Sequence, residues 1–306
     1  MEKGKTYKVV AAAAAGLLIV SGIARFLAVN VLKEKANMKI PELKSIFSKE
    51  LTLAKALSFE TENFTLSSSS YPVRITQSPD SKIYVKQYAE KDITEKELMQ
   101  SEESKDGVTV KIPAINNLRI ASRRYLEIAL PQSCGSLSLV SASGGISADC
   151  PVIAREFSAD ISSGSFKVNE IAAEKISLSS KSGGIKCGSL SGNVKISSAS
   201  GGITLEELSG AFEIKSASGG IRLDKICGGG KISASSGGIK AVFADISNNV
   251  DINVTSGGVK VNVPKNSDIS LSAKATSGTV NVPEMHGGKY NVNISAVSGG
   301  ISVSEI

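Results

Sequence analysis

Tryptophan is absent from this 306-residue chain, and tyrosine and phenylalanine number only 6 and 8. Stacked aromatic platforms for sugars or single-stranded nucleic acid are therefore excluded as its main binding chemistry. The lone histidine, His286, rules out multi-histidine metal sites, and its setting in PEMHGGKY reads as an exposed turn. Four cysteines, Cys134, Cys150, Cys187 and Cys227, show no C-x-x-C spacing, so zinc and dithiol redox motifs are missing. Cys187 reads as a small buried hydrophobe, while a Cys134–Cys150 disulfide stays open. No cofactor-binding motif is present.

A surplus of positive charge is missing from most of the chain, although the net charge is +6. Residues 1 to 40 hold seven cationic side chains and two anionic ones, leaving 28 and 27 for the rest. Basicity is thus a property of the N-terminus, and nucleic acid is not an expected partner. With 41% hydrophobic and 21% charged residues the chain can bury a core, which excludes global disorder.

From Val9 an apolar run extends to Ala24, meets Arg25 and resumes to Leu32. As a helix it would reach about 36 Å, against the roughly 30 Å of a bilayer core. Arg25 lies near one end, where its stem can carry the guanidinium to the headgroups. Residues 1–32 therefore read as a cytoplasmic tail and single-pass transmembrane helix. Two other readings remain: a signal peptide cleaved after Gly22-Ile23-Ala24, giving a secreted protein, and a buried Ala-rich helix. Membrane orientation is undetermined, since lysines and arginines flank both ends.

Glycine is abundant but confined: of 29, 25 fall between Gly135 and Gly300. Ser-Gly-Gly or a close variant begins its glycines at 144, 164, 183, 201, 219, 237, 257, 278 and 299. These intervals of 18 to 21 residues define a structural repeat. Numbering each unit from its first glycine, the third position is apolar throughout: Ile146, Phe166, Ile185, Ile203, Ile221, Ile239, Val259, Val280 and Ile301. Apolar residues within a unit alternate with the period of a strand. The expected fold is an all-β, β-helix-like parallel β-solenoid of about 18–21 residues per coil, preceded by the transmembrane helix. Coils should stack in sequence order about 4.8 Å apart over roughly 40 Å, with handedness open. Glycine suits the sharp turns, and short serines can hydrogen-bond turn backbone.

The lead-in is less regular. Residues 33–58 form a juxtamembrane helix or linker, Pro41 to Ser58 having helical spacing. Residues 59–130 read as an irregular β cap with Pro72, Pro79, Pro113 and Pro131 as breakers, and 131–306 as the solenoid. The last glycine pair begins seven residues before Ile306, so the C-terminal edge should be barely capped and open to oligomerisation.

The units SASGGI at Ser141 to Ile146, Ser198 to Ile203 and Ser216 to Ile221 carry a resemblance. Together with LEIALPQSCGSLSLVSASGGI and its echo VNVPKNSDISLSAKATSGTV, they are similar to the bacterial "putative adhesin" family of β-strand-repeat domains. That resemblance covers roughly residues 59 to 306. It implies a solenoid at the cell envelope, often behind one membrane segment, in adhesion or envelope-stress signalling, and it brings no catalytic residue.

Outward-facing columns carry the candidate chemistry. Glu206 and Asp224 share the sixth position of adjacent units and should stack about 5 Å apart, a spacing suited to paired acid/base work. Solenoid folds host polysaccharide lyases and hydrolases, so a carbohydrate-active enzyme is one alternative. Within the same columns no arginine or histidine converges on the two carboxylates, and the neighbouring turns are short, which weighs against it. At the seventh position Glu207 meets Lys225, and the thirteenth alternates Lys195, Glu213, Lys231. The fourth position reads Ser147, Lys167, Lys186, Thr204, Arg222, Lys240, Lys260, Asn281, Ser302, with five cations and no acid. Stacked like charges repel, so stability explains this column less readily than it does the alternating thirteenth position. The leading expectation is a non-enzymatic, membrane-tethered envelope protein with an extracytoplasmic solenoid. Lys167, Lys186, Arg222, Lys240 and Lys260 would face an anionic wall polymer or surface. The remaining alternatives are a solubilising role for these lysines and a regulatory module acting on a membrane protein.

Overall fold

The computed structural model describes residues 51–90, 93–113 and 123–306, so the expected transmembrane segment lies outside the described residues. Among those described, no helix is long and apolar enough to cross a membrane. The elements in chain order are β1 (Thr52–Phe59), β2 (Asn63–Ser68), β3 (Val73–Gln77), β4 (Ile83–Ala89), β5 (Gln100–Ser104), β6 (Gly107–Ile112) and β7 (Arg124–Leu130). There follow β8 (Cys134–Ser141), β9 (Ile146–Ala148), β10 (Val152–Ile161), β11 (Phe166–Ser180), β12 (Ile185–Ser198), β13 (Ile203–Ser218) and β14 (Ile221–Ser236). The last are β15 (Ile239–Asp245), β16 (Val250–Ser256), β17 (Val259–Val263), β18 (Ile269–Ser277), β19 (Val280–Asn281), β20 (Tyr290–Ser298) and β21 (Ile301–Glu305).

All join one parallel-dominated array, the expected β-solenoid. In its middle each 18-residue unit is a single long strand bent in two. The bends fall at Gly192, Gly210 and Gly228, whose φ values of 136°, 115° and 144° favour glycine over any residue bearing a Cβ. Equivalent residues lie opposite one another: Ile185, Ile203, Ile221 and Ile239 pair in succession. Each is buried to 2% exposure or less, forming one column of the core. Ala148, Val168, Cys187, Leu205 and Leu223 make up the fifth-position column, and Ile196, Ile214 and Ile232 belong to the fourteenth.

The Ser-x-x-Gly turns close on buried hydroxyls. Ser141 Oγ donates to the Gly144 carbonyl at 2.7 Å and accepts the Gly144 N–H at 3.1 Å. Ser180 with Gly183 and Ser198 with Gly201 repeat this pair of bonds. Burying a hydroxyl column is tolerable only because every member finds backbone partners within its own turn. The first glycine of each pair is demanded by stacking. A Cβ on Gly201 would collide with the Gly183 carbonyl, and one on Gly219 with the Gly201 carbonyl.

Three expectations need correction. Residues 52–58 are not helical: β1 is a strand pairing antiparallel with β4, its Leu57 opposite Val85. Partner strands override the local helical spacing there, and residues 41–50 lie outside the described residues. The lead-in does more than cap. Strands β2 and β3 form a full layer against β8 and β9, and β6 and β7 form the next layer outward. Only then do antiparallel β5, β4 and β1 close that end. The fully buried Gln87 ties this closure together, donating to Tyr71 Oη at 3.0 Å and the Glu97 carbonyl at 2.9 Å while accepting the Met99 N–H at 2.7 Å.

The third correction concerns sequence order. Val259 pairs with Ile301 rather than Val280, and Val280 pairs with the other side of Ile301. On the second arm β20 likewise lies between β16 and β18. The C-terminal strands thus occupy the penultimate layer, and the outer edge belongs to residues 269–281. Apolar content accounts for the exchange. Both layers bury apolar residues, Ile269 and Leu271 in the outer one, but the inner layer sets Ile294 opposite Ala273 and buries Ile301 and Val303, whereas Val280 of the outer one is 41% exposed.

Column logic makes a direct prediction. Truncating Ile203 to alanine should cost about 2–5 kcal/mol in urea unfolding, because its column closes over the cavity from both sides. Thr204→Ala, one residue on but facing out, should stay within about 0.5 kcal/mol.

Candidate functional site

The five fourth-position cations sit where the repeat places them. Lys167 pairs with Lys186, Lys186 with Thr204, Thr204 with Arg222, Arg222 with Lys240, and Lys240 with Lys260. All five basic side chains are exposed on one face of the first arm. Side chains two apart on a strand share a face, so the sixth position lies beside the fourth.

Within the sixth column itself no arginine or histidine meets Glu206 or Asp224, and the cations that reach them come from the neighbouring fourth column. Arg222 Nε donates to both Asp224 carboxylate oxygens at 2.9 Å. Lys186 Nζ stands 3.7 Å from Glu206, diagonally across adjacent coils. Asp224 holds the Arg222 guanidinium above its ordinary pKa through this hydrogen bond and its charge. Each acid therefore serves as the counter-ion of a neighbouring cation, a structural use of the two carboxylates. Part of the signal was legible two positions along the strand: Asp224 follows Arg222 there and Glu206 follows Thr204 on the coil next to Lys186, while Asn169, Val242 and Asn262 stand beside Lys167, Lys240 and Lys260.

Charge compensation works elsewhere as expected. Lys225 meets Glu207 at 3.1 Å, and Lys195 lies 3.7 Å from Glu213. Glu213 is also held by Lys215, whose hydrogen bond and charge pull its carboxyl below the usual range. Among the described residues no acidic side chain pairs with Lys167, Lys240 or Lys260. Lys240 and Lys260 occupy adjacent rungs, so the densest uncompensated charge sits there with Arg222 one rung away.

Beside this column runs an open trough of about 610 Å³, floored by Gly202, Gly220, Gly238, Gly258 and Gly300. Thr204, Arg222, Lys240 and Lys260 form its wall. Sequence reasoning located the wall and missed the floor. A second trough of about 570 Å³ on the other arm is lined mainly by serine and alanine. There Lys215, one of its two cations, is already paired with Glu213.

The remaining candidates are plain. All four thiols are free, and Cys150 Sγ donates toward the Ile75 carbonyl at 3.8 Å instead of meeting Cys134. Burial pushes the Cys187 thiol up to about 12 and that of Cys134 up to about 11. His286 is exposed in an irregular segment. Among the described residues no cluster of three or more His, Cys, Asp or Glu could hold a metal.

A parallel β-solenoid with charge-laddered outer faces is the class that this geometry defines. The chain belongs to the family described as Toastrack DUF4097, whose model matches residues 61–305. Its fold is similar to a "putative adhesin" of Parabacteroides distasonis, at 14% identity over 85% of this chain and 98% of that one, with a TM-score of 0.45. A "putative adhesin" of Bacteroides fragilis shows 14% identity over 85% and 98%, with a TM-score of 0.40. A "putative lipid binding protein" of Parabacteroides distasonis shows 10% identity over 82% and 96%, with a TM-score of 0.39. No curated protein matches the chain.

Burial and the raised thiol pKa together predict the cysteine chemistry. At pH 8 Cys187 should stay unmodified by iodoacetamide in the folded protein and react fully in urea, read by mass spectrometry. Modification at equal rates in both states would contradict its place in the core.

Proposed function

We propose that this protein is a non-enzymatic cell-envelope component whose solenoid is an adhesion, binding or scaffolding surface for anionic envelope polymers. The observation that carries the proposal is the fourth-position column, which keeps Lys240 and Lys260 on adjacent rungs without an acidic partner. Elsewhere the same surface alternates its charges or pairs them, as at Glu207–Lys225 and Arg222–Asp224. A face selected for stability alone would follow that pattern. Cations left free at one backbone spacing are poised for a ligand that supplies the missing negative charge. Engagement of Glu206 and Asp224 as counter-ions weighs against the carbohydrate-active alternative. The apolar run from Val9 to Leu32 is the proposed single membrane anchor, with the solenoid outside the cytoplasm.

The test is salt-dependent binding to purified poly(glycerol phosphate) teichoic acid. A cation near an anionic surface contributes about 1 kcal/mol, so reversing Lys240 and Lys260 to glutamate should lower affinity by at least tenfold at low salt. It should also flatten the salt dependence. Unchanged affinity in the double variant would discard the column as the contact face.

A further inference from the structure

The two glycines of each turn have different physical standing. The first is forced by stacking, since its Cβ would strike the neighbouring coil's backbone. The second is not. A Cβ on Gly202 would lie 3.6 Å from the Gly220 carbonyl oxygen, one on Gly220 3.6 Å from that of Gly238, and one on Gly258 3.8 Å from that of Gly300. These are ordinary van der Waals distances, and none of these three glycines has the left-handed φ that favours glycine. The chain itself shows that a side chain fits, because Ser165 and Thr279 occupy this position in two other units and both are exposed.

The consequence of the second glycine is a bare floor. Second and fourth positions project from the same face, so each missing side chain deepens the surface directly beside a basic wall. In spatial order the bare rungs run Gly184, Gly202, Gly220, Gly238, Gly258, Gly300, over about 24 Å at roughly 4.8 Å per rung. Ser165 stands at one end and Thr279, on the outermost layer, at the other.

We infer that this trough is a binding site for a linear phosphodiester polyanion, lying lengthwise along the glycine floor with its phosphates against Lys240 and Lys260. This inference rests on the reading of the column as an anion-binding face. Depth and charge choose the ligand class. A trough one side chain deep admits a narrow chain bearing charge on its own axis. Uronic-acid polymers carry their charge on wide rings, and among the described residues lining this trough none is an aromatic on which such rings could stack. A flat anionic bilayer would touch only the tips of the cations and gain nothing from a bare floor.

Filling the floor without changing charge separates these cases. In the full chain, Gly220→Gln with Gly258→Gln should weaken binding of soluble poly(glycerol phosphate) at least tenfold. Binding to phosphatidylglycerol vesicles at the same ionic strength should be unchanged. Polymer affinity within twofold of the parent, or an equal fall on vesicles, would overturn the inference. A parent protein that binds vesicles and not polymer would also overturn it while leaving the anionic-face reading intact. Loss of polymer binding in the floor variant but not in Lys240→Glu/Lys260→Glu would instead remove the charge reading beneath it. Far-UV circular dichroism and the urea midpoint report folding. Gly220→Ser, which copies the side chain tolerated at Ser165, should give a smaller fall of the same sign, and no fall in a folded Gly220→Ser protein would count against the site should the double variant not fold.

Discussion

Parallel in-register stacking at a single backbone spacing is the constraint from which the rest follows, because it places every residue beside its own equivalents in the next coils. Apolar positions gain from this: a buried isoleucine contributes about 1.5–3 kcal/mol, and the third-position column repeats that gain coil after coil. Turn positions are squeezed by it. Where coils approach closest only hydrogen fits at Cα, which is why Gly183, Gly201 and Gly219 recur. The same approach buries Ser180, Ser198 and Ser216, whose hydroxyls bond within their own turns.

Charge is the property that stacking penalises, and the surface relieves it in two ways. One is alternation between coils, with Glu213 between Lys195 and Lys231 in register. The other is pairing with a neighbouring column, as when Asp224 takes Arg222. Exposed pairs of this kind are worth about 0–1 kcal/mol, so they abolish a repulsion more than they build stability. At Lys240 and Lys260 neither remedy is applied, although Val242 and Asn262 occupy the positions where an acid would supply it. Because relief is available one residue type away, the persistence of free charge there is informative in a way that a scattered surface lysine is not.

How much of this was legible follows from what a repeat can encode. A period written in glycines and an alternation written in isoleucines specify coil length, inward face and column membership, and those agree with the structure. Family membership was legible in the same repeated segments. Order along the stack is different, since Val280 and Ile301 are equivalent by period and either could follow Val259. On the second arm the outer coil is marked by Ala273, which stands in register with Ile294 of the inner one. Ion pairing at the candidate site was hidden by reading columns singly, when the relevant neighbour of Arg222 is two residues along its own strand. The strand at Thr52–Phe59 owes its conformation to β4, a partner that local spacing does not reveal. The glycine floor was missed because both glycines of a pair look alike in sequence, and only the packing around each Cα separates a required glycine from an optional one.

Layer exchange at the C-terminal end also bears on the site. Had the coils stacked in chain order, the rung directly against Lys260 would have been β19, a strand of only two residues. Instead β21 lies against β17 through Lys260–Ser302, and the chain end is fastened there, the Ile306 N–H donating to the Val263 carbonyl at 3.0 Å and its carbonyl accepting the Lys265 N–H at 3.1 Å. The outer layer is itself partly closed, as the Leu271 N–H donates to the Met285 carbonyl at 2.9 Å. Fraying of that edge is therefore separated from Lys240 and Lys260 by β21, all five residues of which pair with β17. A cationic wall backed on both sides by ladder bonds holds its charges at constant spacing, which is what recognition of an extended polymer along the stack requires.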